Sequence, residues 1–174
     1  MPQGFCIRIL KALDERAIED LCDVLIDCVE GGASVSFMLP MTREKARAFW
    51  RKVAAGASRG DRTVVVAEDD DGTILGTAQV VNAESENQPH RADVAKMLVR
   101  RSARKRGVGE ALLRAAEKAA IESGRTLLVL DTASPEAERL YAREGWQRVG
   151  EIPDYALMPD GIPCATIVFF KKLA

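Results

Sequence analysis

The chain has 174 residues, of which 47% are hydrophobic, and its formal net charge is −1. That length and apolar content favour one folded domain over residues 1–174 and argue against a disordered or multidomain chain. Because general nucleic-acid-binding domains carry a large basic excess, the near-neutral charge balance excludes that class, and we expect no nucleic-acid partner.

The first half of the chain predicts a strand, two helices and a hairpin. Residues 5–10 suit a short strand, and a helical apolar face begins after Asp14. Thr42 is a suitable N-cap for a second helix. The β-rich runs 63–68 and 74–81 flank the turn DDDG, which predicts an antiparallel hairpin.

The second half continues with a strand over residues 91–99, a helix that starts near Arg106 and a nearly all-apolar strand over 126–132. Ser134 and Pro135 are a good N-cap and N1 pair for a short helix. Two closing strands are predicted at residues 146–152 and 165–173. The whole order predicts one α/β domain built on a mixed sheet.

The four cysteines lack metal-ligand spacing, and the single histidine, His90, lies in a polar stretch away from them. We therefore expect no metal and no disulfide framework. No apolar run approaches the ~18 residues of a membrane span, and the N-terminus lacks a secretory pattern. The sequence thus predicts a soluble, cytoplasmic protein with no membrane partner.

A basic loop with two glycines precedes the predicted helix near Arg106. Between Val94 and Gly109 the chain has six Lys or Arg residues and no acidic residue. Free N–H groups and the helix dipole attract anions at a helix N-terminus, and glycine lets an anion approach the backbone. A Walker loop would need Lys-Ser/Thr after the glycine, and a Rossmann fingerprint would need a third glycine, where Leu112 stands.

The hexapeptide RKRGVG, residues 104–109, resembles the Arg/Gln-x-x-Gly-x-Gly/Ala signature of the GCN5-related N-acetyltransferase (GNAT) superfamily. An apolar strand precedes it, and "LLVLDT" and the helix-like "SPEAERLYAREGW" follow it, as in that family. The resemblance implies a single GNAT-like domain. Its mixed, mostly antiparallel sheet would splay between the fourth and fifth strands, with helices on both faces. It also implies acetyl-CoA as co-substrate.

Two segments, "GGASVSFM" and "RVGEIPDYALMPDG", are similar to a narrower subgroup, the tabtoxin-resistance acetyltransferases, which inactivate a β-lactam toxin. Membership of that subgroup would not by itself fix the substrate.

The resemblance implies that acetyl-CoA lies along the fourth strand and the basic loop. Backbone N–H groups of the loop would hold the pyrophosphate, and the pantetheine arm would pair with the end of the strand. An N–H near Leu98 or Val99 would stabilise negative charge on the thioester oxygen. The predicted cofactor-binding residues are Met97, Leu98, Val99, Arg104, Lys105, Arg106, Gly107, Val108, Gly109, Ser134 and Ala137. Ser134 stands where many family members have Asn, which weakens the expected contact to the pantetheine arm.

Three side chains are candidates for acid–base chemistry. Tyr141 lies one helical turn from Ala137 and is the predicted general acid for the departing thiolate. Asp93 and Asp131 lie on neighbouring predicted strands and are candidate general bases, with a purely structural role for Asp131 and deprotonation by solvent as alternatives.

The apolar loop before the second helix predicts a pocket wall. In this fold that helix lies over the substrate cleft, so Phe37 and Met38 are candidate substrate-binding residues.

The sequence therefore predicts an acetyl-CoA-dependent N-acetyltransferase that moves an acetyl group directly to the amine of a small molecule, such as a toxin or antibiotic. A homodimer is compatible with this prediction. Two alternatives stay open. A protein N-terminal or lysine acetyltransferase would need an open, acid-lined groove, and a non-catalytic acyl-CoA-binding module would keep the phosphate loop without the catalytic groups.

Overall fold

Seven strands form one mixed sheet in the computed structural model, which describes residues 4–174. The strands are β1 (Cys6–Leu10), β2 (Arg62–Glu68), β3 (Ile74–Asn82), β4 (Arg91–Val99), β5 (Leu127–Thr132), β6 (Gln147–Leu157) and β7 (Pro163–Lys172). The helices are α1 (Glu15–Glu30), α2 (Arg43–Arg59), α3 (Val108–Glu122) and α4 (Pro135–Arg143), with a 3₁₀ turn at Arg101–Ala103. Across the sheet the strands run β1-β2-β3-β4-β5-β7-β6. The predicted α/β fold and order of elements are confirmed; residues 1–3 of the predicted domain lie outside the described residues.

The predicted N-caps Thr42 and Ser134 are confirmed, and Asp14 caps α1 in the same way. The side chains of Asp14, Thr42 and Ser134 each accept a hydrogen bond from a backbone N–H three residues on. The start of α3 was predicted near Arg106 but lies at Val108, because left-handed Gly107 (φ 81°) is its N-cap.

Two apolar cores cover the two faces of the sheet. One core packs α3 and the buried Tyr141 of α4 against one face, and the other packs α1 and α2 against the opposite face. In β4 and β5 the alternate residues Ala92, Val94, Leu128 and Leu130 belong to the α3 core. The residues between them, Asp93 and Asp131 included, therefore face the α1 and α2 side.

The sheet opens between β4 and β5. These parallel strands pair only over Arg91–Asp93 and Leu127–Val129, and beyond that point their pairing stops. β4 continues alongside β3 past a β-bulge, where Lys96 has a φ of 50°. The predicted splay between the fourth and fifth strands is confirmed. We call the unpaired region between β4 and β5 the fork.

Helix α3 connects the two sides of the fork. It packs against β2, β3 and β4 on one side. On the other side, Glu117 of α3 accepts hydrogen bonds from Trp146 Nε1 at 2.7 Å and from Lys171 Nζ, in β7, at 2.7 Å. Arg114 forms a 2.8 Å ion pair with Glu144, at the end of α4. These contacts hold the two halves of the sheet at a set separation although their strands do not pair there.

Within residues 4–174, no helix combines the length and apolar character that a membrane crossing requires.

Candidate active site

The loop between β4 and α3 presents unpaired backbone N–H groups. Within the part of the chain that the structure describes, the N–H groups of residues 105–110 donate to no backbone oxygen. Gly107 and Lys105 both have positive φ, 81° and 59°, which turns the chain sharply into α3. A turn of this kind at a helix N-terminus forms a concave set of donors for an anion such as a pyrophosphate.

Several basic side chains of this loop are already bound to protein atoms. Arg101 donates to Asp27 of α1 through its N–H at 2.7 Å and its Nε at 2.9 Å. Arg104 Nε donates to the Val99 carbonyl at 3.2 Å, and Arg100 Nε donates to the Ile74 carbonyl at 2.7 Å. The loop is thereby anchored to β3, β4 and α1, and anion binding falls mainly to its backbone.

The end of β4 forms one side of the fork. Leu98 is 2% exposed, and the side chains of Met97 and Val99 pack against the α3 core. A Cβ at Gly76 of β3 would lie only 2.7 Å from the Leu98 carbonyl oxygen, so glycine permits the close approach of β3 to this segment. The side chains at residues 97–99 are thus structural, whereas the backbone edge that faces the fork beyond Asp93 is unpaired with β5.

Tyr141 projects from α4 into the α3 core. Its side chain is 4% exposed, and its ring centroid lies 5.9 Å from that of Trp146 and 5.7 Å from that of Phe169. Burial raises the pKa of Tyr141 to about 12, and the negative charge of Asp131 contributes in the same direction. The hydroxyl is therefore protonated throughout the neutral range, although it is also a weaker acid than a free phenol.

The start of α4 brings Ser134 and Ala137 together. The Ala137 N–H donates to Ser134 Oγ at 3.2 Å, and Ser134 Oγ donates to a carboxylate oxygen of Glu136 at 3.2 Å. The Ser134 hydroxyl is thus engaged within the helix cap, and its role as a cofactor ligand stays a prediction.

A cavity of about 300 Å³ lies at the open end of β5. Phe37, Met38 and Asp131 all line it, so the structure brings these three predicted site residues together. The other lining residues are Ser34, Ser36, Thr132, Ala133, Tyr155, Ala156, Leu157, Cys164, Ala165 and Thr166. Asp131 accepts a hydrogen bond from the Thr166 hydroxyl at 2.6 Å.

One wall of this cavity belongs to the loop between α1 and α2, through Ser34, Ser36, Phe37 and Met38. Its Leu39 N–H donates to the Pro159 carbonyl at 3.0 Å, and Ser34 Oγ donates to the Leu157 carbonyl at 3.4 Å. These bonds join the loop to the β6–β7 hairpin beside the cavity, which stays open to solvent at Met38, Tyr155 and Leu157.

Asp93 has different surroundings from Asp131. It pairs with Val129, the last paired position of β5, and Asp131 lies two residues farther into the fork. Asp93 Oδ1 accepts from Arg91 Nη1 at 2.6 Å, and Asp93 is not among the residues that line the cavity. Both carboxylates face the same side of the sheet, but only Asp131 reaches the cavity.

Lys96 is a further polar residue of this region that the sequence analysis did not single out. Its Nζ donates to Ser36 Oγ at 3.0 Å, at the cavity wall, and lies 5.8 Å from the Phe49 ring centroid. Strand alternation alone would not have shown this, because the bulge at Lys96 changes the direction of its side chain.

Comparisons with known proteins identify the fold. Three solved structures share the fold. An N-acetyltransferase from Staphylococcus aureus Mu50 is 20% identical, with a TM-score of 0.81 over 98% of this chain and 99% of that chain. A GNAT superfamily phosphinothricin acetyltransferase from Sinorhizobium meliloti, in complex with acetyl-CoA, is 16% identical, with a TM-score of 0.81 over 98% and 89%. A ribosomal-protein-alanine N-acetyltransferase from Brucella melitensis is 20% identical, with a TM-score of 0.79 over 97% and 99%.

The family profile of the acetyltransferase (GNAT) domain matches residues 60–148. That segment is just over half of the chain and contains the fork, the basic loop, α3 and α4. The chain is therefore an acyltransferase that belongs to the GNAT acetyltransferase family.

Proposed function

We propose that this acyltransferase moves an acetyl group from acetyl-CoA directly to the amine of a small molecule, with residues 1–174 acting as one domain. The observation that supports this most strongly is the arrangement around the fork. Unpaired N–H groups of the loop lie on the β4 side, and a cavity with the carboxylate of Asp131 lies at the end of β5. A thioester held along the fork and an amine held in the cavity would meet between them.

The residues present fit the cofactor. The N–H groups of residues 105–110 supply donors for a pyrophosphate, and the unpaired edge of β4 supplies backbone groups for the amides of the pantetheine arm. Met97, Leu98 and Val99 contribute through their backbone, and Arg104, Lys105 and Arg106 add positive charge around the donors. When bound, acetyl-CoA supplies an acetyl group as a thioester, which the acceptor amine takes up as the thiol leaves.

Asp131 is the better placed of the two candidate bases. Its carboxylate lies in the cavity and is oriented by the Thr166 hydroxyl at 2.6 Å. We assign it the removal of a proton from the acceptor ammonium, directly or through a water molecule. Asp93 remains the second candidate, and its ion pair with Arg91 leaves it less available.

Tyr141 is the proposed general acid. Its raised pKa keeps the proton on the phenol oxygen until a stronger base forms nearby. A thiolate leaving into an apolar, desolvated region is such a base, because burial raises the pKa of a thiol as well. Tyr141 would then donate its proton to the sulfur.

The size of the cavity favours a small acceptor over a protein. A volume of about 300 Å³, with one wall formed by a loop that is bonded to the β6–β7 hairpin, matches a small amine in size. Acetylation of a protein N-terminus or lysine is the second candidate function. A ribosomal-protein-alanine N-acetyltransferase shares the fold, so peptides are included among the acceptors to be tested.

The biological role we propose is detoxification, with an amine toxin or antibiotic as acceptor. The segments similar to the tabtoxin-resistance subgroup support it, and a phosphinothricin acetyltransferase shares the fold. The homodimer and the cytoplasmic location stay predictions.

An acceptor screen tests the proposal. Purified protein with acetyl-CoA is given amino acids, simple amines, amine antibiotics and alanine- or lysine-containing peptides, and free thiol is measured. Release with small amines supports the proposal. Release with peptides alone would transfer the function to protein acetylation. Thermal stabilisation by acetyl-CoA without release from any acceptor would leave a non-catalytic acyl-CoA-binding module.

A further inference from the structure

A cation lies beside the cavity, which has a carboxylate in its wall: Lys96 is not itself a lining residue but is bonded to one. The bulge in β4 directs Lys96 so that its Nζ donates to Ser36 Oγ at 3.0 Å, and Ser36 is part of the cavity wall. Asp131 belongs to a different part of the same wall. The wall therefore holds one anionic group, Asp131, and one residue, Ser36, that is hydrogen-bonded to a cation.

The ammonium of Lys96 has spare capacity for a ligand. An ammonium carries three N–H donors. Within residues 4–174, Lys96 Nζ has the Ser36 hydroxyl as its one hydrogen-bond partner and forms no salt bridge. Phe49 supplies an aromatic ring at 5.8 Å, which attracts a cation but accepts no conventional hydrogen bond.

The charges around Lys96 do not neutralise it. Burial lowers the pKa of Lys96; the negative charge of Asp131 opposes that shift, and the positive charge of Arg62 reinforces it. Arg62 donates to Gln79 through Nη1, and its buried Nε has no partner among the described residues. Lys96 therefore lies near one anion, Asp131, and one further cation, Arg62, and its two remaining N–H donors have no acceptor among the described residues, which favours a ligand that brings one.

We infer that Lys96 determines acceptor specificity by binding a carboxylate of the substrate, so that the acceptors are amino acids or zwitterions built like them. The carboxylate pairs with Lys96 and Ser36, and the amine lies toward Asp131. Phe37 and Met38 form the apolar part of the wall, against the acceptor's carbon side chain. This inference rests on the proposed function and narrows its substrate class.

The first experiment compares acceptors that differ only in charge. Each L-amino acid is matched with its own amide, and kcat/KM is expressed per free amine, because amidation changes the pKa of the amino group. A hydrogen-bonded charge pair is worth roughly 10- to 100-fold, so the acid of the best pair should exceed its amide by about that factor. Equal values, or a preference for the amides, would overturn the inference and leave the proposed function standing.

The second experiment removes the cation. Lys96→Met should lower kcat/KM for acids by about 10- to 100-fold and for amides by less than about threefold, and Lys96→Arg should retain most of the preference. Lys118→Met, on the exposed side of α3, is the matched control and should change neither value. An equal loss for acids and amides in Lys96→Met would show a structural role instead of recognition.

A binding measurement separates carboxylate binding at Lys96 from the proposed function. Thermal stabilisation of the CoA-bound protein is measured with N-acetyl-amino acids and with their amides, in wild type and Lys96→Met. Stabilisation by the acids that depends on Lys96, without thiol release from any acceptor, would keep a carboxylate-binding site at Lys96 and overturn both its role in acceptor specificity and the acetyltransferase proposal. No stabilisation together with no release would overturn the binding site as well.

Discussion

The two proposed binding regions on either side of the fork, the cofactor side and the acceptor side, are built by different means. The cofactor side is nearly contiguous, since residues 97–110 supply the strand edge, the loop and the helix start, and most of its proposed contacts are backbone groups. The acceptor side gathers side chains from four distant segments, around residues 34–38, 131–133, 155–157 and 164–166. Binding through backbone groups depends on the conformation of the chain, whereas binding through side chains depends on which residues are present. We therefore expect substitutions on the two sides to affect different kinetic constants.

Tyr141 is the proposed general acid, and removal of its hydroxyl should have the largest effect. Tyr141→Phe deletes only the hydroxyl and should lower turnover by roughly 10²- to 10⁴-fold, the usual worth of general acid catalysis. The acetyl-CoA affinity, measured by calorimetry, should stay the same. Because the pKa of Tyr141 is raised to about 12, the wild-type rate should not decline up to pH ~10, where an ordinary tyrosine ionises. Undiminished turnover, with chemistry shown to be rate-limiting, would reduce Tyr141 to a packing residue.

Asp131 tests the acceptor side. Asp131→Asn should slow turnover by roughly 10²-fold near neutral pH, the lower end for a general base, and leave acetyl-CoA binding unchanged. The loss should shrink as the pH approaches ~10, the ordinary pKa of a lysine-like amine, because free amine then forms without help. A pH–rate profile of the variant measures this, and a loss that stays constant with pH would assign Asp131 to binding or structure.

Gly107 tests the cofactor side. Gly107→Val places a β-branched residue at φ 81°, which costs about 1–3 kcal/mol of strain or displaces the loop. Acetyl-CoA affinity should fall by about 10- to 100-fold, while the ratio of kcat/KM values between two acceptors should not change. Gly124→Val is the matched control, since it imposes similar strain (φ 78°) beyond the other end of α3. An equal loss of acetyl-CoA affinity in both variants would mean that general destabilisation causes the loss, and not damage to the N–H donors of the loop before α3.

Substitution of Asp93 should have the smallest effect on turnover. It tests whether the two carboxylates, Asp93 and Asp131, have different roles. Its Oδ1 is held by Arg91 and it lies outside the cavity lining, so Asp93→Asn should change turnover by less than about threefold. If the two carboxylates share the task, the double variant with Asp131→Asn should lose less than the sum of the single losses in free energy. A loss at Asp93 as large as that at Asp131 would restore it as a base.

The difference between the two sides also explains what the sequence could predict. The order of strands and helices follows from hydrophobic periodicity and from caps such as Thr42 and Ser134, which are local properties of the chain. The cofactor loop was predictable for the same reason, because the two glycines, the basic residues and the start of the helix are adjacent in sequence. The predicted fork came from family resemblance and is confirmed by the short pairing of β4 with β5.

The acceptor side was predictable only in part because its contacts join distant positions. Thr166 approaches Asp131 through the pairing of β5 with β7, across 35 residues. The extension of β6 to Leu157 was missed because Pro153 and the left-handed Asp154 interrupt its pattern beside a bulge. Lys96 was missed because one extra residue in β4 changes the face on which it lies.

The contacts of α3 with both halves of the sheet have a consequence for how the cofactor associates. Glu117 and Arg114 hold the region around β7 and the end of α4 at a set distance from β4 through contacts between protein side chains. The fork is therefore preorganised, and little backbone entropy would be lost when the pantetheine arm of the proposed cofactor binds in it. Association is then limited by encounter and orientation at the basic loop and needs no slow opening step.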